Sequence, residues 1–351
     1  MARMRRGDPK RYRLVLARLG ASTLARRDLA ELAERVTQQA PDIDVAVAGK
    51  HTSEQWHLLR RALRPTLTVG FGEVRQRRFL SGRILHCPRL PKHVELERLR
   101  SAGIPVPDWV LIEPGTSLDP AHWGPYVVVK PTWGGAGADV RIRRTRRVRY
   151  SERGRARRRA ALLAQRFVYT GPWAASYRIC TFFGRALYCW RVEQSHAKRP
   201  LEGRWQFADG GDGGGGIQII APSKTSTYTL DGGEAVIALA ERAHRLAFPD
   251  YPYLGFDVLR DAESGELSVI EANSGGGVWH LSSRMGVSIQ RAHAIDLYRQ
   301  FDALGRAAER LVEVTRRCAV VAPLGRFQLP IGSRGARRRP FTSVPSSPPL
   351  P

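Results

Sequence analysis

The first ninety residues alternate between short apolar runs and longer segments whose apolar positions recur every three or four residues. The runs "IDVAVAG" from Ile43 and "TLTVGFG" from Thr66 have the length and β-branched content of buried strands, and "RYRLVLARLG" from Arg11 reads as a strand or a short helix. Between them, "LAELAERVTQQA" and "SEQWHLLRRALR" carry the helical period. That order predicts a small parallel sheet. Further on, Lys92 opens a predicted helix that closes at Gly103, followed by the strand "DWVLIEP", a glycine-rich hairpin, an arginine-rich helix and the apolar segment "LLAQRFV". From residue 176 strands dominate. "YRICTFFGRALYCWRVEQ" predicts a hairpin turning at Phe183 to Arg185, then come the helix "GEAVIALAERAHRLA", a second hairpin about "DAESGE" and one long helix over 288–317. Six glycines among residues 210–216 predict a mobile loop over a site, and the Pro-, Ser- and Arg-rich residues 330–351 predict a disordered tail. The fold class is α+β.

Composition narrows the function classes. With 351 residues and 42% hydrophobic content, the chain can bury a substantial core in two or three subdomains. No stretch approaches eighteen uninterrupted apolar residues, and the basic N-terminus lacks the apolar core of a secretory signal, so the expectation is a cytoplasmic protein without a membrane span. Cys87, Cys180, Cys189 and Cys318 are widely spaced and suggest neither a disulfide framework nor a zinc site. The net charge of +25 invites a nucleic-acid reading, densest in the eleven arginines of residues 141–160. A solvated face is the default for such a run, with an acidic partner such as RNA the less favoured alternative. Only six of the 57 basic residues are lysines. In so arginine-rich a chain, Lys92 and Lys130 stand out as places where a compact point charge is wanted.

Two stretches carry chemistry. "YVVVKPTWGGAGADVRI", residues 126–142, ends an apolar strand at Lys130, runs through Gly134, Gly135 and Gly137, and re-enters an alternating segment. It is not a Walker loop, because the lysine precedes the glycines, and not a dinucleotide fingerprint, because no helix follows. Strand, glycine flap and strand remain, either as a phosphate clamp or as a hairpin with a glycine-rich turn. The second stretch is "YLGFDVLRDAESGELSVIEANSGGG", residues 253–277. Glu271 and Asn273 are two apart and share a strand face. A hairpin symmetric about Ser264 sets Asp257 opposite Glu271, a repulsion that a hard divalent cation would offset. A solvated hairpin is the blander alternative.

Taken in order, these motifs resemble the ATP-grasp superfamily, closest to the branch containing ribosomal-protein glutamate ligases, with glutathione synthetase and D-alanine:D-alanine ligase more distant. The resemblance covers roughly residues 90–305. It implies two α+β subdomains clasping ATP, over 92–169 and 170–315, preceded by a small α/β domain over 1–91. It also implies that Lys92 and Lys130 contact phosphates under the flap of Gly134, Gly135 and Gly137, and that Gln165, Arg166, Phe167 and Val168 form the adenine hinge, with Ser176 near the ribose. Asp257, Glu271 and Asn273 would hold Mg²⁺ (or Mn²⁺), and Arg178 would face the acyl-phosphate end, unless it simply pairs with a carboxylate. The chain departs from the family where Arg166 replaces the usual hinge glutamate, where Ser176 replaces an acidic residue, and where "EGRWQFADGGDGGGG" replaces the usual acceptor-side cluster. Trp279, His280 and Arg284 are further candidates for lining the acceptor pocket. The implied activity is an ATP- and Mg²⁺-dependent carboxylate-amine ligase acting through an acyl phosphate, on a small-molecule or peptide carboxylate and an amine acceptor. The rivals are an ATP-grasp phosphotransferase and a basic nucleic-acid-binding protein with a vestigial nucleotide site. Oligomeric state is not legible in the sequence.

Overall fold

The computed structural model describes residues 10–18, 22–48, 64–72, 80, 82–135, 137–152, 161–195, 200, 201, 203–205, 226–274 and 277–321. Strand β1 (Tyr12–Ala17), helix α1 (Arg26–Gln39) and strands β2 (Ile43–Ala48), β3 (Thr66–Gly70) and β4 (Arg83–His86) come first. The four strands form the predicted parallel sheet, in the order β2-β1-β3-β4. "RYRLVLARLG" is therefore a strand, with five consecutive buried positions from Arg13 to Ala17, as expected in a parallel sheet covered on both faces.

Helix α2 (Lys92–Ser101) leads into a second sheet of β5 (Trp109–Leu111), β6 (Tyr126–Pro131), β7 (Arg141–Arg144) and β8 (Leu162–Arg166), with the short helix α3 (Pro120–Trp123) between β5 and β6. Its order is β5-β8-β6-β7 and every pairing is antiparallel. The glycine flap joins β6 to β7 as a hairpin. The third sheet is β11-β10-β9-β12-β13, also antiparallel, from β9 (Ala175–Phe182), β10 (Arg185–Glu193), β11 (Thr227–Thr229), β12 (Tyr253–Arg260) and β13 (Leu267–Asn273). Helix α4 (Glu234–Ala247) packs on it. One core runs from the parallel sheet into the third sheet, where Phe71 lies against Phe182, Tyr253 and Trp279. The second sheet has its own smaller core of Ile112, Leu118, Val127, Val129, Val148 and Ala164.

One expectation is corrected. The long helix over 288–317 is two helices, α5 (Arg284–His293) and α6 (Ala303–Cys318). Ala294 adopts the left-handed region at φ 52°, and Asp296 takes the N–H groups of Tyr298 and Arg299 at 2.9 and 3.1 Å. Asp302 then caps α6 through Gly305 N–H. Side chains that compete for backbone partners stop a helix that apolar periodicity alone would continue. The arginine-rich segment starts as strand β7 and a 3₁₀ turn over Thr145–Arg147, with Arg141, Arg144, Arg146 and Arg147 exposed; residues 153–160, on which the expected arginine-rich helix would fall, lie outside the described residues. The expected helix over 53–64, the glycine loop over 210–216 and the tail over 330–351 also lie outside them. Among the described residues, no helix is long and apolar enough to cross a membrane.

His244 on α4 is sealed in the core. Its Nε2–H donates to the Tyr251 carbonyl at 2.8 Å and its Nδ1 lies 2.7 Å from Thr181 Oγ1, so the neutral ring is satisfied. Burial lowers its pKa from 6.5 to about 4. Between those values the unfolded chain binds a proton that the folded chain refuses, so stability present above pH 6.5 is lost as pH falls toward 4. Urea titrations should show a loss on the order of 3 kcal/mol across that window. His244→Gln should flatten this dependence, and an equal slope in the variant excludes His244 as its source.

Candidate functional site

The β12–β13 hairpin is symmetric at its open end. Asp257 opposes Glu271, Phe256 opposes Ala272 and Gly255 opposes Asn273; toward the turn the register shifts, so Val258 opposes Val269. Ile270 is the extra residue of that bulge, and an extra residue leaves ladder groups unpaired. The Ile270 carbonyl receives Lys130 Nζ at 3.0 Å.

Cross-strand neighbours extend this geometry over the sheet. Asp257 also opposes Arg178 on β9, and Arg178 opposes Trp190 on β10. Glu271, Asp257, Arg178 and Trp190 therefore form one row across four strands, at steps of about 4.8 Å. A second row on the same face runs Asn273, Gly255, Cys180 and Tyr188. Arg178 grips Asp257 with two parallel bonds, Nε to Oδ1 and Nη2 to Oδ2, the latter at 2.8 Å. Asn273 Nδ2 adds a third bond to Asp257 Oδ2 at 3.0 Å.

The second sheet and α2 bring two more cations to the row. Lys92 Nζ bonds Glu271 Oε1 at 2.5 Å and the Gly134 carbonyl at 3.0 Å, while its backbone N–H donates to Thr132 O at 2.8 Å. Both lysines are buried, Lys92 with 7% and Lys130 with 5% of its surface exposed. Burial pulls Lys130 down to about 8, with Glu271 opposing and Lys92 reinforcing. Burial would raise Glu271, but Lys92 and Lys130 outweigh it and hold the carboxyl below its usual range. Glu95, one turn along α2 from Lys92, is raised to about 8 by burial and by Glu271, and receives Ser274 Oγ at 3.5 Å. The i, i+3 spacing of Lys92 and Glu95 on one helix face was the signal that could have found it.

The remaining expected residues are placed as follows. Gly134, Gly135 and Gly137 are exposed on the β6–β7 connection. Gly134 and Gly137 hold φ of 130° and 70°, which L side chains rarely adopt, whereas a Cβ at Gly135 meets nothing within 4 Å. Gln165 is buried on β8, with its Nε2 lacking a hydrogen-bond partner among the described residues. Arg166 is exposed, 4.0 Å from Asp108. Phe167 is half-buried with its ring 6.0 Å from Trp205, and Val168 is half-buried beside it. Ser176 shares a strand face with Arg178. Arg178 pairs with Asp257, as the simpler alternative had it. Trp279 does not line a pocket: it is a core residue, 1% exposed, and donates to Asp28 Oδ2 at 2.7 Å. Arg284 is exposed and His280 is buried.

Two carboxylates and an amide on one hairpin face are hard oxygen donors suited to Mg²⁺. Among the described residues, no group of three or more His, Cys, Asp and Glu could hold a metal ion. A cation held by these three donors alone would have coordination positions left for phosphate oxygens or water.

No protein-family model and no curated sequence matches the chain. Solved structures similar to it include D-alanine–D-alanine ligase from Bacillus anthracis complexed with ATP, at 14% identity over 86% of this chain and 99% of that one, with a TM-score of 0.43. D-cycloserine synthetase is similar at 18% identity over 85% and 99%, with a TM-score of 0.48. A RimK domain ATP-grasp protein from Sphaerobacter thermophilus is similar at 16% identity over 85% and 99%, with a TM-score of 0.43.

Gly255 ties the site face to the segment beyond the hairpin. A Cβ there would lie 2.7 Å from Val278 Cγ1 and 3.6 Å from Arg178 Cδ. Gly255→Ala should therefore cost about 1–3 kcal/mol in urea unfolding, the usual penalty of overpacking. A neutral substitution would mean that Val278 does not rest on this glycine.

Proposed function

We propose that this chain is an ATP- and Mg²⁺-dependent ligase that joins a carboxylate to an amine through an acyl phosphate. The observation that carries this reading is the convergence of Lys92 and Lys130, from the glycine-flap side, on the Asp257–Glu271 hairpin. Two buried ammonium groups, one guanidinium and two carboxylates at one seam suit a polyanion that brings its own cation. An ordinary salt-bridge cluster gains little from such burial.

On this reading Lys92 and Lys130 bind the phosphates, and the backbone from Gly134 to Gly137 covers them and excludes water. Asp257, Glu271 and Asn273 would hold Mg²⁺, which supplies charge neutralisation at the phosphate oxygens. Arg178, oriented by Asp257, stands beside the hairpin carboxylates, where the acid would enter. The substrate carboxylate oxygen forms a bond to the γ-phosphorus as the bond to ADP breaks. The amine nitrogen then forms a bond to the acyl carbon, inorganic phosphate leaves with the C–O electron pair, and the amine gives up a proton. Gln165 to Val168 on β8 and its exit would meet the adenine through backbone groups, since Arg166 turns to Asp108.

Incubation with ATP, Mg²⁺ and panels of amino acids and short peptides should yield ADP, phosphate and a product lighter by one water than its precursors, detected by mass spectrometry. A stable phosphorylated acid in place of that product would make the chain a phosphotransferase. Lys130→Ala and Glu271→Gln should each lower ADP release by about 100-fold or more, the scale of losing one charge-stabilising group, with the circular dichroism spectrum unchanged. Undiminished ADP release in either variant removes the site assignment.

A further inference from the structure

The row of site residues continues past Arg178 to Trp190, and there the ring of His280 stacks on the indole at 5.1 Å with the planes 21° apart. Tyr188 lies 6.3 Å from the same imidazole, and Tyr228 meets the other side of the aromatic group at 5.5 Å from Trp190. His280 arrives there because the chain leaving Asn273 folds back across the sheet. Val278 sits over Gly255, its carbonyl takes Tyr188 Oη–H at 2.6 Å, and the histidine follows two residues later.

His280 is only 2% exposed. Its Nδ1 lies 3.1 Å from Ser283 Oγ, which already accepts the Gly286 N–H at 3.0 Å. The hydroxyl proton is then free for Nδ1, and the ring proton belongs on Nε2. Nε2 is buried and has no hydrogen-bond partner among the described residues. A donor left in that state is costly, so a fold that keeps one calls for an acceptor from elsewhere.

We propose that His280 Nε2–H is the donor of a second-substrate subsite that takes an uncharged carbonyl oxygen of the amine-bearing substrate, beside Trp190 and across Arg178 from the hairpin carboxylates. The proposal rests on the ligase reading above. Charge selects the ligand class. Arg178 is held by Asp257 through a bidentate pair and, on the ligase reading, serves the acid substrate, so it offers the amine-bearing substrate no cation of its own. Burial, with Arg178 nearby, lowers His280 to about 3 and keeps its ring neutral. An amide or peptide carbonyl needs only the single N–H, and loses little on entering an aromatic surround. The amine acceptor is accordingly an amino-acid amide or a peptide rather than a free amino acid.

The full-length chain labelled with ¹⁵N-histidine tests this, with the His280 Nε2 resonance assigned by its absence from His280→Phe. Glycinamide and glycine, which share an amine and differ at the carbonyl, are titrated separately at pH 7, with and without Mg²⁺ and a non-hydrolysable ATP analogue. Glycinamide should shift the resonance saturably and glycine should not, and glycinamide affinity read by tryptophan fluorescence should fall about fivefold in His280→Phe, the worth of one hydrogen bond. A resonance unmoved by glycinamide, or moved equally by glycine, overturns the proposal, and a second variant, His280→Gln, supplies the assignment if the phenylalanine variant fails to fold. Because the titration needs no turnover, glycinamide binding without ADP release would keep the subsite and sink the ligase reading. ADP release with a silent His280 would do the reverse.

Discussion

Two carboxylates face each other across neighbouring strands at Asp257 and Glu271, and the rest of the site is arranged around that repulsion. Its compensation comes from three separate elements: Lys92 on α2, Lys130 on β6 and Arg178 on β9. Since α2 and β6 belong to the flap side and β9 to the third sheet, the charge cluster also fixes how the second sheet meets the hairpin. Removing Lys92 would take from Glu271, and removing Arg178 from Asp257, the cation it is paired with, which is far more costly than losing an exposed pair. On the proposed reading, arriving phosphates compete for Lys92 and Lys130, and Glu271 is released to a metal ion.

The bulge at Ile270 makes this geometry work. A perfectly regular hairpin would bond the Ile270 carbonyl within the ladder, and Lys130 would have no backbone acceptor there. Shifting the register between Asp257 and Val258 supplies that acceptor while keeping Asp257, Gly255 and their partners in step. Lys130 is thereby fixed by neutral and charged partners together, although burial pulls its pKa down to about 8.

Much of this was legible in the chain. The strand periods of β2 and β3, the flap hairpin and the helix opening at Lys92 follow from apolar spacing and glycine placement, and hairpin symmetry gave the Asp257–Glu271 pairing, whereas β1 reads equally as a strand or a short helix. What sequence could not supply was the register between separate hairpins. Arg178 meets Asp257 only because β9 and β12 are adjacent, and residues 79 apart in the chain carry no local signal of that contact. The same reason hid the role of Trp279, which its position just after "NSGGG" put near a pocket and tertiary packing placed in the core. The broken helix between His293 and Ala303 failed for a different reason. Apolar periodicity persists through the break, and only the capping aspartates Asp296 and Asp302 reveal it.

The parallel sheet at the start of the chain acts on the site through one buried carboxylate. Asp28, in the first turn of α1, accepts Trp279 Nε1–H at 2.7 Å, Tyr298 Oη–H at 2.9 Å and the Ser282 hydroxyl. A negative charge at a helix N-terminus is favoured by the peptide dipoles, so the aspartate suits that position before it meets any partner. Ser282 Oγ in turn receives the Ala25 N–H at 3.0 Å. Trp279 and Ser282 flank His280, so the segment that places the imidazole on Trp190 is clamped at both ends from the α1 side. The His280 end of the row is therefore shaped jointly by the α1 side and the third sheet, whereas the Lys92 and Lys130 end is shaped by the second sheet, α2 and the third. Each end rests on a different pair of structural units, so a substitution that loosens the Asp28 clamp acts on the row from Arg178 to Trp190 without touching Lys92 or Lys130.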